Sequence, residues 1–230
     1  MRRLRKWQKM KVFVLVVIGA AIAAVSTGTA TAASAYSYDK ALSQWAKHTL
    51  ENASIEQGTQ RKHIPLMVYV KCYADRSSFE NRLIANGVDP VYVRGVIAYY
   101  DHPRYRGGDE STINMRAGTC NLARQFTLGL VTQESAGAFK TLLHEALHRQ
   151  GLHNEKETEL YAIATMEEAG RMIAYSYGGN LDAGGERAKR LAWQQSRAMI
   201  ARNYLSQWSE VRGLSTSWWD AIDLHRQLGR

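Results

Sequence analysis

The chain has 230 residues, with 30 Lys+Arg against 21 Asp+Glu and a formal charge of +9. Its 45% hydrophobic and 22% charged content is that of a folded globular protein. Three prolines and no repetitive tract exclude collagen-like, repeat and long disordered architectures, and the length suits one domain with a sizeable core.

The excess charge is concentrated at the start. Arg2, Arg3, Arg5, Lys6, Lys9 and Lys11 occur with no acidic residue among them, and Val12 to Val25 is an unbroken apolar run of 14 residues. Small residues follow, with the triplets Ala30-Thr31-Ala32 and Ala33-Ser34-Ala35. This is the layout of a secretory signal peptide over 1–35, cut after Ala32 or Ala35. The run is shorter than the ~17–25 residues that span a bilayer, which makes an uncleaved N-terminal anchor the alternative. Without 1–35, the remaining 24 basic residues face 21 acidic ones, a net charge of +3. The expected location is secreted or cell-envelope. No nucleic-acid partner is expected, and membrane contact only through the N-terminal segment if it is retained. Residues 36–230 are expected to form a single domain.

Cys72 and Cys120 are the two cysteines, both in the exported part. In an oxidising compartment they are expected to form one disulfide. Closing a loop of about 49 residues stabilises a fold by about 4 kcal/mol on the chain-entropy account.

Taken in chain order, Tyr38 to Ser54 reads as an amphipathic helix with Leu42, Trp45, Thr49 and Leu50 on one side. Ile64 to Tyr73 is rich in β-branched and aromatic residues and reads as a strand. Ser77-x-x-Glu80 resembles a capping box that opens a short helix stopping near Gly87. Val88 to Tyr100 fits either a strand or a short helix, and 101–110 is a turn-rich loop. Ser111 to Arg116 alternates as a short strand. From Ser135 the pattern is helical, with Ser135 to Gln150 ending at Gly151. Asn154-x-x-Glu157 marks a second helix from near Glu155, with Leu160, Ile163, Ala164 and Ile173 apolar. A third helix spans Glu186 to about Trp208, and a shorter one follows Ser217. The expected fold class is α+β, a small N-terminal sheet followed by a helical C-terminal half.

The chemistry is carried by His144-Glu145-Ala146-Leu147-His148. Histidines at i and i+4 of a helix point the same way and can share one Zn²⁺, with Glu145 placed beside them as a general base. The chain's own His and Glu content predicts ~0.01 such matches by chance. A third protein ligand is required. A histidine six residues after His148 would give a metzincin pattern, but Asn154 holds that position and His153 comes one residue early. A tight turn at Gly151 to Asn154 would instead form a helical hairpin, with Glu159 roughly opposite His148. Glu155, one turn earlier, and His153 are the competing candidates.

The stretch LLHEALHRQGLHNEKETELYA, Leu142 to Ala162, resembles the active-site region of zincin metallopeptidases, and within them the gluzincins. The resemblance covers about 20 residues. It implies a zincin-like fold, one Zn²⁺ per chain held by His144, His148 and Glu159, and Glu145 as the base that hydrolyses a peptide or protein substrate. It also offers Ser111 to Arg116 as an edge strand for an extended peptide, against the plainer reading of an ordinary core strand. No oxyanion-stabilising residue is assigned among Arg149, Tyr161, Tyr175 and Tyr177. A catalytically silent zincin-like module, acting as an envelope scaffold or binding protein, is the rival reading. His48, His63, His102 and His225 lack paired spacing, and Trp218-Trp219 reads as packing residues. The basic residues Arg187, Lys189, Arg190, Arg197 and Arg202 read as one solvated helix face.

Overall fold

The computed structural model describes residues 35–56, 68–101, 112–152 and 155–203. The signal-like segment through Ser34, His63, His102, His153, Asn154 and everything from Tyr204 onward, including Trp218-Trp219, lie outside the described residues. Among those described, no helix is long and apolar enough to cross a membrane.

The elements run β1 (Tyr36–Tyr38), α1 (Lys40–Glu56), β2 (Tyr69–Tyr73), α2 (Arg76–Ala85), α3 (Pro90–Val93), β3 (Ala98–Tyr100), β4 (Thr112–Met115), α4 (Ala117–Thr127), α5 (Gln133–Arg149), α6 (Glu155–Ser176) and α7 (Leu181–Asn203). The fold is α+β, as the sequence pattern indicates. The four strands form one sheet in the order β1-β2-β4-β3, with β2 and β4 parallel and both outer pairs antiparallel.

Alternation along the strands separates two cores. Val70, Cys72, Ile113 and Met115 face the helical side, where they join Leu42 and Leu50 of α1, Phe126 of α4, and Phe139, Leu142 and Leu143 of α5. The Phe126 and Phe139 rings stack at 4.9 Å and help tie α4 to α5. On the opposite face, Tyr73 and Tyr99 pack with Phe79 and Leu83 of α2 and Val93 of α3. Cys72 and Cys120 lie at disulfide distance, 2.03 Å, joining β2 to α4 across the main core.

Several local readings change. The cap of α2 is Asp75, whose carboxylate accepts the Ser78 amide at 2.7 Å, rather than Ser77. Val88 to Tyr100 is both a helix and a strand, because Asp89 caps a one-turn helix before the chain extends into β3. β4 is interior, flanked by β2 and β3 and buried along its length, so it is not the free edge of the sheet. The two edges belong to β1 and β3. Helix α7 begins five residues earlier than its charge pattern suggests. Lys189 is buried against Glu167, and Arg187 donates to the Val131 carbonyl, so that face is not simply solvated.

Helix α5 is the centre of the molecule. It lies against the sheet, α4, α6 and α7, and is buried from Ser135 to His144 without a break. Its ends are well defined. Thr132 caps the start with Ser135 in a reciprocal pair, and Gly151 ends it at φ +89. The Gly151 amide donates to His148 O and the Leu152 amide to Leu147 O, the two bonds of a Schellman turn. Nothing lies within 4 Å of a Cβ built on Gly151, so only the backbone requires glycine there.

Gly151→Ala should therefore destabilise the fold by about 1–2 kcal/mol through left-handed strain alone. A denaturant titration measures it, and an unchanged midpoint would show that the turn tolerates a side chain. Alkylation of the unreduced protein should label neither Cys72 nor Cys120, and two adducts would exclude the bond.

Candidate metal centre

Helix α6 begins at Glu155, four residues after Gly151, and pairs with α5 in the antiparallel sense. His148 meets Glu155, and one turn further along each helix His144 meets Glu159. The sequence reading set Glu159 opposite His148. The structure puts it one rung away, because α6 starts within four residues of Gly151.

Three donor atoms converge. His144 Nε2 and His148 Nε2 are 2.9 Å apart, and Glu155 Oε2 lies 3.2 Å from the first and 3.3 Å from the second. These three residues form the one group of metal-ligating side chains among the described residues whose ligand atoms all lie within 4.8 Å of one another. Ligands held tetrahedrally at ~2.0–2.1 Å from zinc would lie about 3.3 Å from each other, close to the spacing seen.

The far sides of both imidazoles settle which atoms carry protons. His148 Nδ1 lies 2.6 Å from the Leu152 carbonyl, which can only accept. His144 Nδ1 lies 2.9 Å from Glu159 Oε2, which accepts as a carboxylate. Both Nδ1 atoms are therefore donors, and neutral rings direct Nε2 lone pairs at each other and at a carboxylate oxygen. Three acceptors around one point require a cation or extra protons between them. The residues fit a divalent ion of zinc's kind, with each imidazole oriented from behind by an acceptor.

Glu159, the expected third ligand, is placed differently. Its Oε1 accepts from Lys140 Nζ at 2.6 Å and its Oε2 from His144 Nδ1, and both Lys140 and Glu159 are fully buried. The Glu145 carboxylate is reached by the Tyr100 amide of β3, which donates to Oε2 at 2.9 Å. Tyr175 and Tyr177 sit at the other end of α6, about 30 Å along the helix, and are exposed. His48 is on α1 beside Glu51, remote in role from the cluster.

Sequence reasoning did not single out Lys140, Leu152 or Tyr100. Lys140 left a signal: it lies four residues before His144 on an otherwise apolar face, where a solvated lysine has no place. Tyr100 left none, since its backbone amide acts rather than its side chain.

Charge coupling follows the geometry. Burial opposes a charged His144, but hydrogen bonds to Glu155 and Glu159 outweigh it and push the imidazole up to about 9. His148 is raised too, with burial again overcome by Glu155. Burial would raise Glu155, yet its bonds to His144 and His148 hold it down to about 2. Glu159 is likewise buried but held far below the usual carboxylate range by Lys140 and His144. Burial raises Glu145, with the two histidines partly offsetting it.

No family model matches the chain, and no curated protein or solved structure matches it at a significant level.

The shifts set a pH profile for the protein freed of metal. Raised His144 stabilises fully below its ordinary 6.5 and stops doing so as pH rises through about 9. Depressed Glu155 stabilises above its ordinary 4.5 and stops as pH falls toward about 2. Denaturation midpoints should peak between those ordinary values and fall from 6.5 to 9, where stabilisation by added Zn²⁺ should grow as protons leave the histidines. A flat midpoint from neutral to alkaline pH would contradict the cluster.

Proposed function

We propose that this protein is an exported zinc-dependent metallopeptidase of zincin, gluzincin-like type, with His144, His148 and Glu155 as ligands and Glu145 as general base. The convergence of two Nε2 atoms and one carboxylate oxygen within 3.3 Å of one another carries the reading. It moves the third ligand from Glu159 to Glu155 and leaves the rest of the HEALH assignment as the sequence suggests. The basic start, apolar run and Ala-x-Ala triplets support export to the cell envelope or beyond.

A zinc ion in such a site supplies a Lewis acid that polarises a scissile carbonyl and acidifies a water molecule. The chain's own residues provide the remainder. Leu152 and Glu159 keep each imidazole with Nε2 inward. Glu145, one residue from His144 and raised by burial, takes a proton from the attacking water and returns it to the departing amine. The Tyr100 amide steadies that carboxylate through Oε2.

One observation favours the second reading, a catalytically silent zincin-like envelope module. The Glu145 carboxylate already accepts a backbone amide, as a purely structural carboxylate would.

Metal analysis of the purified chain with Glu145→Gln distinguishes them. The peptidase reading expects about one zinc per chain in both proteins, with peptide hydrolysis lost by a factor of ~10²–10⁴ in the variant alone. Glu155→Ala should remove stoichiometric zinc. No zinc in the wild type overturns the reading, and a zinc-loaded wild type that hydrolyses no peptide library favours the silent module.

A further inference from the structure

The stripe of α5 that carries the histidines begins one turn earlier, at Lys140. Lys140, His144 and His148 are spaced four apart, and Glu155 and Glu159 are spaced four apart on the helix packed against them. Both glutamates thus face the same stripe, and either carboxylate is of the right chemistry to bind a cation. What distinguishes them is where their oxygens are committed. Glu155 turns Oε2 to both Nε2 atoms. Glu159 has one oxygen on Lys140 Nζ at 2.6 Å and the other on His144 Nδ1 at 2.9 Å.

A buried ion pair is a poor device for stability, since desolvation offsets most of the attraction and apolar side chains of equal volume serve as well. Leucine or methionine at 140 would fill the space as Lys140 does. They could not hold a carboxylate behind an imidazole. On the metal-centre reading above, we propose that Lys140 is a positioning residue: by anchoring Glu159 Oε1, it keeps Glu159 behind His144 as the acceptor of Nδ1–H and leaves the ligand position to Glu155. Lys140 touches neither histidine's Nε2 nor Glu155 and acts only through Glu159. Loss of a partner that orients a metal-bound histidine typically weakens metal binding 10–100-fold.

Because Lys140 acts through Glu159, its effect should vanish when Glu159 can no longer be anchored as a carboxylate. The test is a double-mutant cycle with Lys140→Met, Glu159→Gln and the pair together, read by competition of Zn²⁺ against a chromophoric chelator. Visible absorption of the Co²⁺-substituted proteins reports ligand geometry, and apo-protein melting is measured separately. Lys140→Met alone should weaken zinc at least tenfold and alter the Co²⁺ bands. Added to Glu159→Gln, it should change zinc affinity less than twofold and leave the bands as in Glu159→Gln. Unchanged affinity and bands in Lys140→Met overturn the proposal, as do losses that simply add in the double variant. Should Lys140→Met not fold alone, the charge-free double variant is compared with Glu159→Gln, and a further tenfold loss is the overturning result. Wild-type protein that binds no zinc refutes the metal-centre reading itself. Wild-type binding with additive losses refutes only the role of Lys140.

Discussion

The register of the α5–α6 hairpin is the constraint on which the rest depends. Gly151 closes α5 with a left-handed turn, and α6 begins at Glu155, so the helices have no room to slide. Sliding α6 by one turn toward the Gly151 end would put Glu159 in the place of Glu155 and Ile163 in the place of Glu159, leaving Lys140 without its counter-ion. The same turn brings the Leu152 carbonyl to His148 Nδ1, so the turn that stops the helix also orients one of its histidines. Helix termination and site assembly are a single event here.

Burying so polar a helix imposes a strict accounting of partners. Lys140, His144 and Glu145 project from an element enclosed by the sheet and four helices, and each would be costly there alone. Each is matched from a neighbouring element: Lys140 by Glu159 of α6, His144 by Glu155 and Glu159 of the same helix, and Glu145 by the Tyr100 amide of β3. The result couples charges across α5, α6 and the sheet edge. It also accounts for the raised His144 and His148, whose hydrogen bonds to buried carboxylates outweigh the opposing effect of burial. The supporting fold is correspondingly well tied. The Cys72–Cys120 pair links β2 to α4, and α6 and α7 pack so closely that a Cβ on Gly170 would lie 2.3 Å from the Gly184 carbonyl.

Much of this was legible where the signal is local. The helices around HEALH, the glycine stop, the start of α6 near Glu155 and a strand ending at Tyr73 all follow from periodicity and capping chemistry. Other elements were hidden for identifiable reasons. Helix α4 presents its buried stripe as Thr119, Cys120, Ala123, Phe126 and Thr127, two of them polar, diluted further by Gly118 and Asn121. The α2 cap was displaced because Asp75 reaches the Ser78 amide before Ser77 can act as a cap. The interior place of β4 is decided by the parallel pairing with β2, a contact over 40 residues that no local pattern records.

By itself, then, the sequence determined the α+β class and the i, i+4 pairing of His144 and His148 with Glu145 between them, and it left Glu159, His153 and Glu155 as alternative partners for the pair. These follow from the 3.6-residue period and from side-chain chemistry. Only the tertiary structure decided that Glu155 meets the histidines while Glu159 stands behind His144 on Lys140, and that β3 rather than β4 borders the site. Those outcomes depend on turn length and strand order. A difference of one helical turn, 5.4 Å in an ideal helix, separates the carboxylate that meets both Nε2 atoms from the one that stands behind His144, and it leaves no trace in composition or spacing.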